Sequence, residues 1–178
     1  MVRPDDADGI AAAWRRERPG TPTESIGVVT RLWQIGKLLA DDRARVLAEL
    51  GIDRGTMDLL SVLRRAGEPY ELTTRELAAR TLVTAGAISQ RVARAEAAGL
   101  VRRAPGGAGR RAVTVTLTAA GHAEIERTVD RVLTREVELL SGLSPERRRH
   151  LAGELDDLLA DLVARLGPPG RTDVQDLL

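Results

Sequence analysis

Apolar residues along the 178-residue chain recur mostly with helical spacing, interrupted by one short stretch of period two. Residues 10–18 read as a short helix carrying Trp14, stopped by Pro19-Gly20. Thr21-Pro22-Thr23-Glu24 has the make-up of a helix start, with a hydroxyl cap, proline at the first position and an acid three residues after the cap. Ile26, Val29, Leu32, Trp33, Leu39, Val46, Leu47 and Leu50 then support one long helix, ended by Gly51. Asp53 caps the next, which runs to about residue 66 with Met57, Leu60 and Leu63 on its inner face and Gly67 as its stop.

Pro69-Tyr70-Glu71-Leu72 is too short for a helix and fits a minor strand. Thr73-Thr74-Arg75-Glu76 is a second capping box and opens a short helix to residue 80; after a turn, Thr84 caps a helix over 85–98, ended by Gly99. Residues 100–104 and 112–117 are β-like, joined by the glycine-rich run 105–111. In the second of them Val113, Val115 and Leu117 alternate with Thr114 and Thr116. Thr118 begins a long helix to about residue 140, Ser144-Pro145 begins another to 166, and Gly167-Pro168-Pro169-Gly170 ends it. No internal repeat is present.

The predicted fold is mainly α with a small β-hairpin, a winged helix-turn-helix with long N- and C-terminal dimerisation helices. Its expected parts are an N-terminal helix extension (1–20), dimerisation helices (21–52 and 119–167), a winged helix-turn-helix lobe (53–118) and a flexible tail (168–178). The apolar faces of the outer helices are wide for a chain this size, and a second copy of the chain would cover them. Trp33 belongs to such a face or to the core.

Composition supports this picture. Hydrophobic residues make up 43%, enough for a core, and 30% charged residues favour solubility. Aromatics are only 2% and phenylalanine is absent, so the apolar content is aliphatic and helix-compatible. The absence of cysteine excludes disulfides, thiol catalysis and cysteine-bound zinc. No signal peptide opens the sequence and no apolar run approaches the roughly 18 residues of a membrane span, so a cytoplasmic protein without membrane contact is expected. The net charge of +1 hides an asymmetry: from Arg75 to Arg111 eight arginines face two acids, leaving the rest of the chain acidic. A basic middle with acidic flanks is the footprint of a nucleic-acid-binding lobe.

Within that lobe a short helix, a tight turn and a second helix set the second helix to enter a DNA major groove. Ile88, Val92 and Ala95 share its inner face. Thr84, Gly86, Ala87, Ser89, Gln90, Arg91 and Arg94 remain for DNA; the small residues allow close approach, glutamine suits adenine, and arginine suits guanine or phosphate. Arg110 and Arg111 would put two cations near the wing tip, where a narrow minor groove attracts them. No phosphate-cradling loop, nucleophile elbow or histidine-carboxylate set is present, so an enzyme is not expected. His122 and His150 are isolated surface positions that make no metal site, and no cofactor is implied. A winged-helix protein-interaction module and a nonspecific DNA-architectural protein are the alternatives.

The stretch Ala85-Gly86-Ala87-Ile88-Ser89-Gln90-Arg91-Val92-Ala93-Arg94-Ala95-Glu96-Ala97-Ala98-Gly99-Leu100-Val101-Arg102-Arg103, with Arg110-Arg111 and Val115-Thr116-Leu117-Thr118-Ala119-Ala120-Gly121, resembles the MarR family over residues 25–165. That resemblance implies a homodimer whose terminal helices interlock and which binds a pseudo-palindromic double-stranded operator. The family's usual acid before the wing arginine pair is replaced by Gly109. A narrower resemblance, to the urate-responsive, PecS-like branch, implies an organic-anion site made by Trp14, Asp58, Arg91 and Arg103. In that site two arginines clamp a planar anion, an indole covers its face, and Asp58 pairs with an arginine when the site is empty. Ala93 and Gln90 depart from the branch, which leaves other small organic acids as alternatives to urate. Each residue also has a plainer role: Trp14 as a packing anchor, Asp58 as a local pair, Arg91 as a phosphate contact and Arg103 as part of the basic surface.

Overall fold

The structure, a computed structural model, describes residues 6–81, 83–105 and 113–168. In chain order the elements are α1 (Ala7–Glu17), α2 (Ile26–Leu50), α3 (Arg54–Arg65), β1 (Glu71–Thr73), α4 (Thr74–Thr81), α5 (Ala85–Ala97), β2 (Val101–Pro105), β3 (Val113–Leu117), α6 (Ala119–Leu139) and α7 (Pro145–Leu166). The chain divides within α2 into two units, one ending at Arg45 and one beginning at Val46.

Short polar side chains fix the helix starts by accepting otherwise unpaired backbone N–H groups, a contribution of about 1 kcal/mol each. Asp53 accepts from the Thr56 N–H at 3.0 Å, Thr84 from Ala87 at 3.2 Å, Thr118 from Gly121 at 3.0 Å and Ser144 from Arg147 at 3.3 Å. The expected boxes hold with two corrections. Asp6 accepts from the Gly9 N–H at 2.8 Å and starts α1 three residues before the expected Ile10. Thr21-Pro22-Thr23-Glu24 does not open α2: the Ile26 N–H bonds the Thr23 carbonyl at 3.2 Å in a turn, and the helix begins at Ile26.

In the first unit Arg31 of α2 donates to Asp8 of α1 at 2.7 Å and to the Gly27 carbonyl at 2.9 Å. Trp33 is 71% exposed in the single chain, which removes the core reading for it.

The second unit holds the hydrophobic core. Leu59, Leu60 and Leu63 of α3, Leu77 of α4, Ile88 and Val92 of α5, Val115 of β3 and Ile125 of α6 are fully buried. Helix α3 packs against α4, α5 and α6. The expected hairpin is two strands of a three-stranded antiparallel sheet ordered β1-β3-β2, with Leu72 and Arg103 both in register with Val115. In β3 only Val115 and Leu117 face the core; Val113 is exposed. Among the described residues no helix is long and apolar enough to cross a membrane.

Helix α6 starts hard against the end of the α5–β2 turn. The Thr118 N–H donates to the Leu100 carbonyl at 3.1 Å, and a Cβ on buried Gly121 would run into that carbonyl oxygen and lie 3.1 Å from Leu117 Cδ2. Backbone cannot yield as a flexible side chain does. Gly121→Ala is therefore expected to cost roughly 2–3 kcal/mol, lowering the melting temperature by about 5–10 °C in calorimetry.

The capping box at Thr73 gives a pH signature. Glu76 Oε2 accepts from the Thr73 N–H at 2.8 Å and from its hydroxyl at 2.7 Å, and these bonds hold the Glu76 carboxyl below its ordinary value of 4.5. A carboxyl depressed on folding adds stability that is complete above its unfolded pKa and is lost as pH falls through the folded value. Thermal melts should be flat in this respect above about pH 5 and decline below 4.5; Glu76→Gln, which keeps the box neutral, should decline less over that range.

Candidate nucleic-acid interface

Helices α4 and α5 are joined through Val83 and Thr84, and α5 is seated by Ile88, Val92 and Ala95, all buried. These are the three residues expected on the inner face, and their 3.6-residue period leaves a continuous outer stripe. Gly86, Ser89, Gln90 and Arg94 are exposed there, Ala87 is half-buried, and Thr84 at the start is exposed. The Ser89 hydroxyl donates to the Ala85 carbonyl at 2.9 Å, so it lies back on the helix and keeps the stripe low. Arg75, Arg80, Arg102 and Arg103 add exposed cations on α4 and β2. Arg110 and Arg111, together with Gly109, lie outside the described residues.

The two arginines of α5 turn toward the first turn of α3. Arg91 is only 12% exposed, its guanidinium is 3.9 Å from the Asp58 carboxylate, and it lies over Gly55, where a Cβ would meet Arg91 Nε at 3.0 Å. A base edge or phosphate therefore meets little of Arg91 in this arrangement, and the exposed Arg94 is the better placed cation of the two. Arg94 Nη2 lies 4.0 Å from Asp53 Oδ1. Burial pushes the Asp53 carboxyl up, but hydrogen bonds from the Thr56 hydroxyl and backbone and the charge of Arg94 outweigh it, holding Asp53 below its ordinary 3.8.

Of the four residues read as an anion site, Arg91 and Asp58 are brought together. Arg103 instead donates from Nε to Glu96 at 2.6 Å and from its backbone N–H to the same carboxylate at 3.2 Å, clamping β2 to α5. Trp14 stands half-exposed on α1 in the first unit. Sequence reasoning missed Glu96 and Asp53 as partners. The signal for Glu96 was Gly99, whose positive φ of 72° reverses the chain and brings residues seven apart side by side. His122, read as a surface position, is half-buried; Tyr70 meets it edge-on at 4.6 Å and lies under Arg64 at 5.0 Å. His150 is exposed, 3.9 Å from Glu154. Among the described residues no group of three metal-binding side chains occurs.

A helix-turn-helix backed by a three-stranded sheet, with exposed arginines on α4, α5 and β2, defines a winged-helix DNA-binding protein. The MarR family model matches residues 50–112. The transcriptional regulator PecS of Dickeya dadantii is 30% identical over 163 residues, covering 92% of this chain and 98% of PecS. Sco3205, a MarR family regulator from Streptomyces coelicolor solved in complex with DNA, is 27% identical, with a TM-score of 0.67 over 79% of this chain and 92% of that one. NadR in complex with 4-hydroxyphenylacetate is 25% identical, with a TM-score of 0.59 over 76% of this chain and 91% of NadR. The chain belongs to the MarR family of transcriptional regulators and is PecS-like within it. Its members regulate by binding DNA and are not enzymes.

Proposed function

We propose that this regulator is a cytoplasmic repressor that binds a pseudo-palindromic operator as a homodimer, setting α5 of each protomer into successive major grooves. The observation that carries the reading is the outer stripe of α5, small and polar at Gly86, Ser89 and Gln90 and cationic at Arg94, on a helix whose other face is locked into the core. Arg110 and Arg111 supply the wing contacts. Residues 21–52 and 119–167 form the dimer: no residue of α7 is buried in the single chain, although leucines recur along it. A small dimer of this kind represses by occluding a promoter.

The effector is a small planar organic anion, urate or a related acid, held by Arg91 and Arg103 with Trp14 on its face. The near contact of Arg91 and Asp58 supports a site that is held closed by an internal carboxylate when empty. The binding of 4-hydroxyphenylacetate by NadR, itself an organic anion, supports the same chemistry. Taking Arg91 from Asp58 pulls on the helix that reads DNA, which couples the two sites.

Fluorescence anisotropy tests both halves. Arg94→Ala and Arg111→Ala should each weaken DNA binding by about tenfold to a hundredfold. Asp58→Ala and Trp14→Ala should keep DNA affinity while blunting release by urate; wild-type release by urate in both would refute the anion site.

A further inference from the structure

Arg94 is the exposed cation on the outer stripe of α5, and what surrounds it decides whether it reads bases or only phosphate. An arginine that is free to swing finds a phosphate on any DNA, which adds affinity without selectivity. Selectivity grows when the planar fork is biased toward one orientation, so that its free edge meets a base.

The first turn of α3 sets a fixed negative charge beside that fork. Asp53 Oδ1 accepts the Thr56 N–H at 3.0 Å and Oδ2 accepts the Thr56 hydroxyl at 2.6 Å, so the carboxylate is fixed in place by the cap it makes. From there it faces Arg94 Nη2 at 4.0 Å. The two residues line an open cavity of about 290 Å³ together with Ile52, Ala95, Leu100 and a second carboxylate, Glu124. Both side chains are more than half exposed, so the pair adds little to stability. We infer that Asp53 is a positioning residue for DNA reading, whose carboxylate draws the Arg94 guanidinium to one side of the outer stripe and so lowers its reach for the phosphates of any DNA.

This inference rests on the proposed role of α5 in the major groove, and the test separates the two. The probes are a duplex enriched by the wild-type protein from a random-sequence pool, and a scrambled duplex of equal length. Asp53→Asn and Asp53→Ser keep a neutral helix cap, so both should melt within a few degrees of wild type. Each should tighten binding to the scrambled duplex and weaken binding to the enriched one, each by about threefold, the size of one exposed ion pair. The affinity ratio therefore falls about tenfold. In an Arg94→Gln background the same changes should leave the ratio unmoved. An unaltered ratio in the single variants, or an equal fall in both backgrounds, overturns the positioning role. If the wild type enriches no duplex, the groove reading itself fails.

Discussion

If the proposed dimer forms through α7, Leu159→Glu is expected to leave a monomer and to weaken binding to a palindromic duplex by about a thousandfold or more. Leu151, Leu155, Leu159, Leu162 and Leu166 are all exposed in the single chain, and their spacing puts them on one side of α7. Folded chains seldom leave so long an apolar row in water, and permanent homodimer interfaces resemble a core cut in half. A glutamate at the middle of the row would be buried without a partner, which association cannot repay. Each monomer then holds one half-site and forfeits the free energy of the other. Sedimentation equilibrium reads the mass and anisotropy reads the affinity. Asp157→Lys, exposed on the opposite side of α7, should leave both unchanged. A Leu159→Glu protein that stays dimeric would remove α7 from the interface.

Ser89→Glu should abolish tight DNA binding, lowering affinity by about a hundredfold or more, because with α5 in the groove as proposed it sets a carboxylate among phosphates. The serine is exposed and its hydroxyl donates to the Ala85 carbonyl of its own helix, so the core is untouched. Melting temperature and helical circular dichroism should match wild type. Affinity within threefold of wild type would show that the outer face of α5 does not enter a groove.

Much of the fold was legible because local chemistry and global packing agree in this chain. Thr73-Glu76, Thr84, Thr118 and Ser144 start the helices they were expected to start, and Ile88, Val92 and Ala95 point where their spacing said. The failure at Thr21-Pro22-Thr23-Glu24 has a local cause: the same residue types that cap helices also build turns, and here a turn at Thr23 takes the bond. The minor strand expected over 69–72 is present as β1 at Glu71–Thr73, its bounds shifted because three residues carry little pattern and its pairing with β3 defines it. At the candidate interface the exposed stripe of α5 followed from periodicity alone. The ion pairs did not. The family resemblance implies an arginine partner for Asp58, and Arg91 stands in that place; Arg94 with Asp53 and Arg103 with Glu96 depend on how α3, α5 and β2 cross, and arginines this numerous offer many equivalent partners in sequence.

Sequence-selective binding to double-stranded DNA is the centre of the account, and anisotropy titration of the full chain against the enriched and scrambled duplexes between 50 and 200 mM salt, at about the range where phosphate contacts dominate, tests it most directly. The enriched duplex should bind at least about a thousandfold more tightly, with log affinity falling by about 0.9 per decade of salt for each phosphate contact. Equal affinity for the two duplexes would contradict it in favour of an architectural protein, and weak binding to both with a shallow salt slope would contradict it in favour of a protein-interaction module.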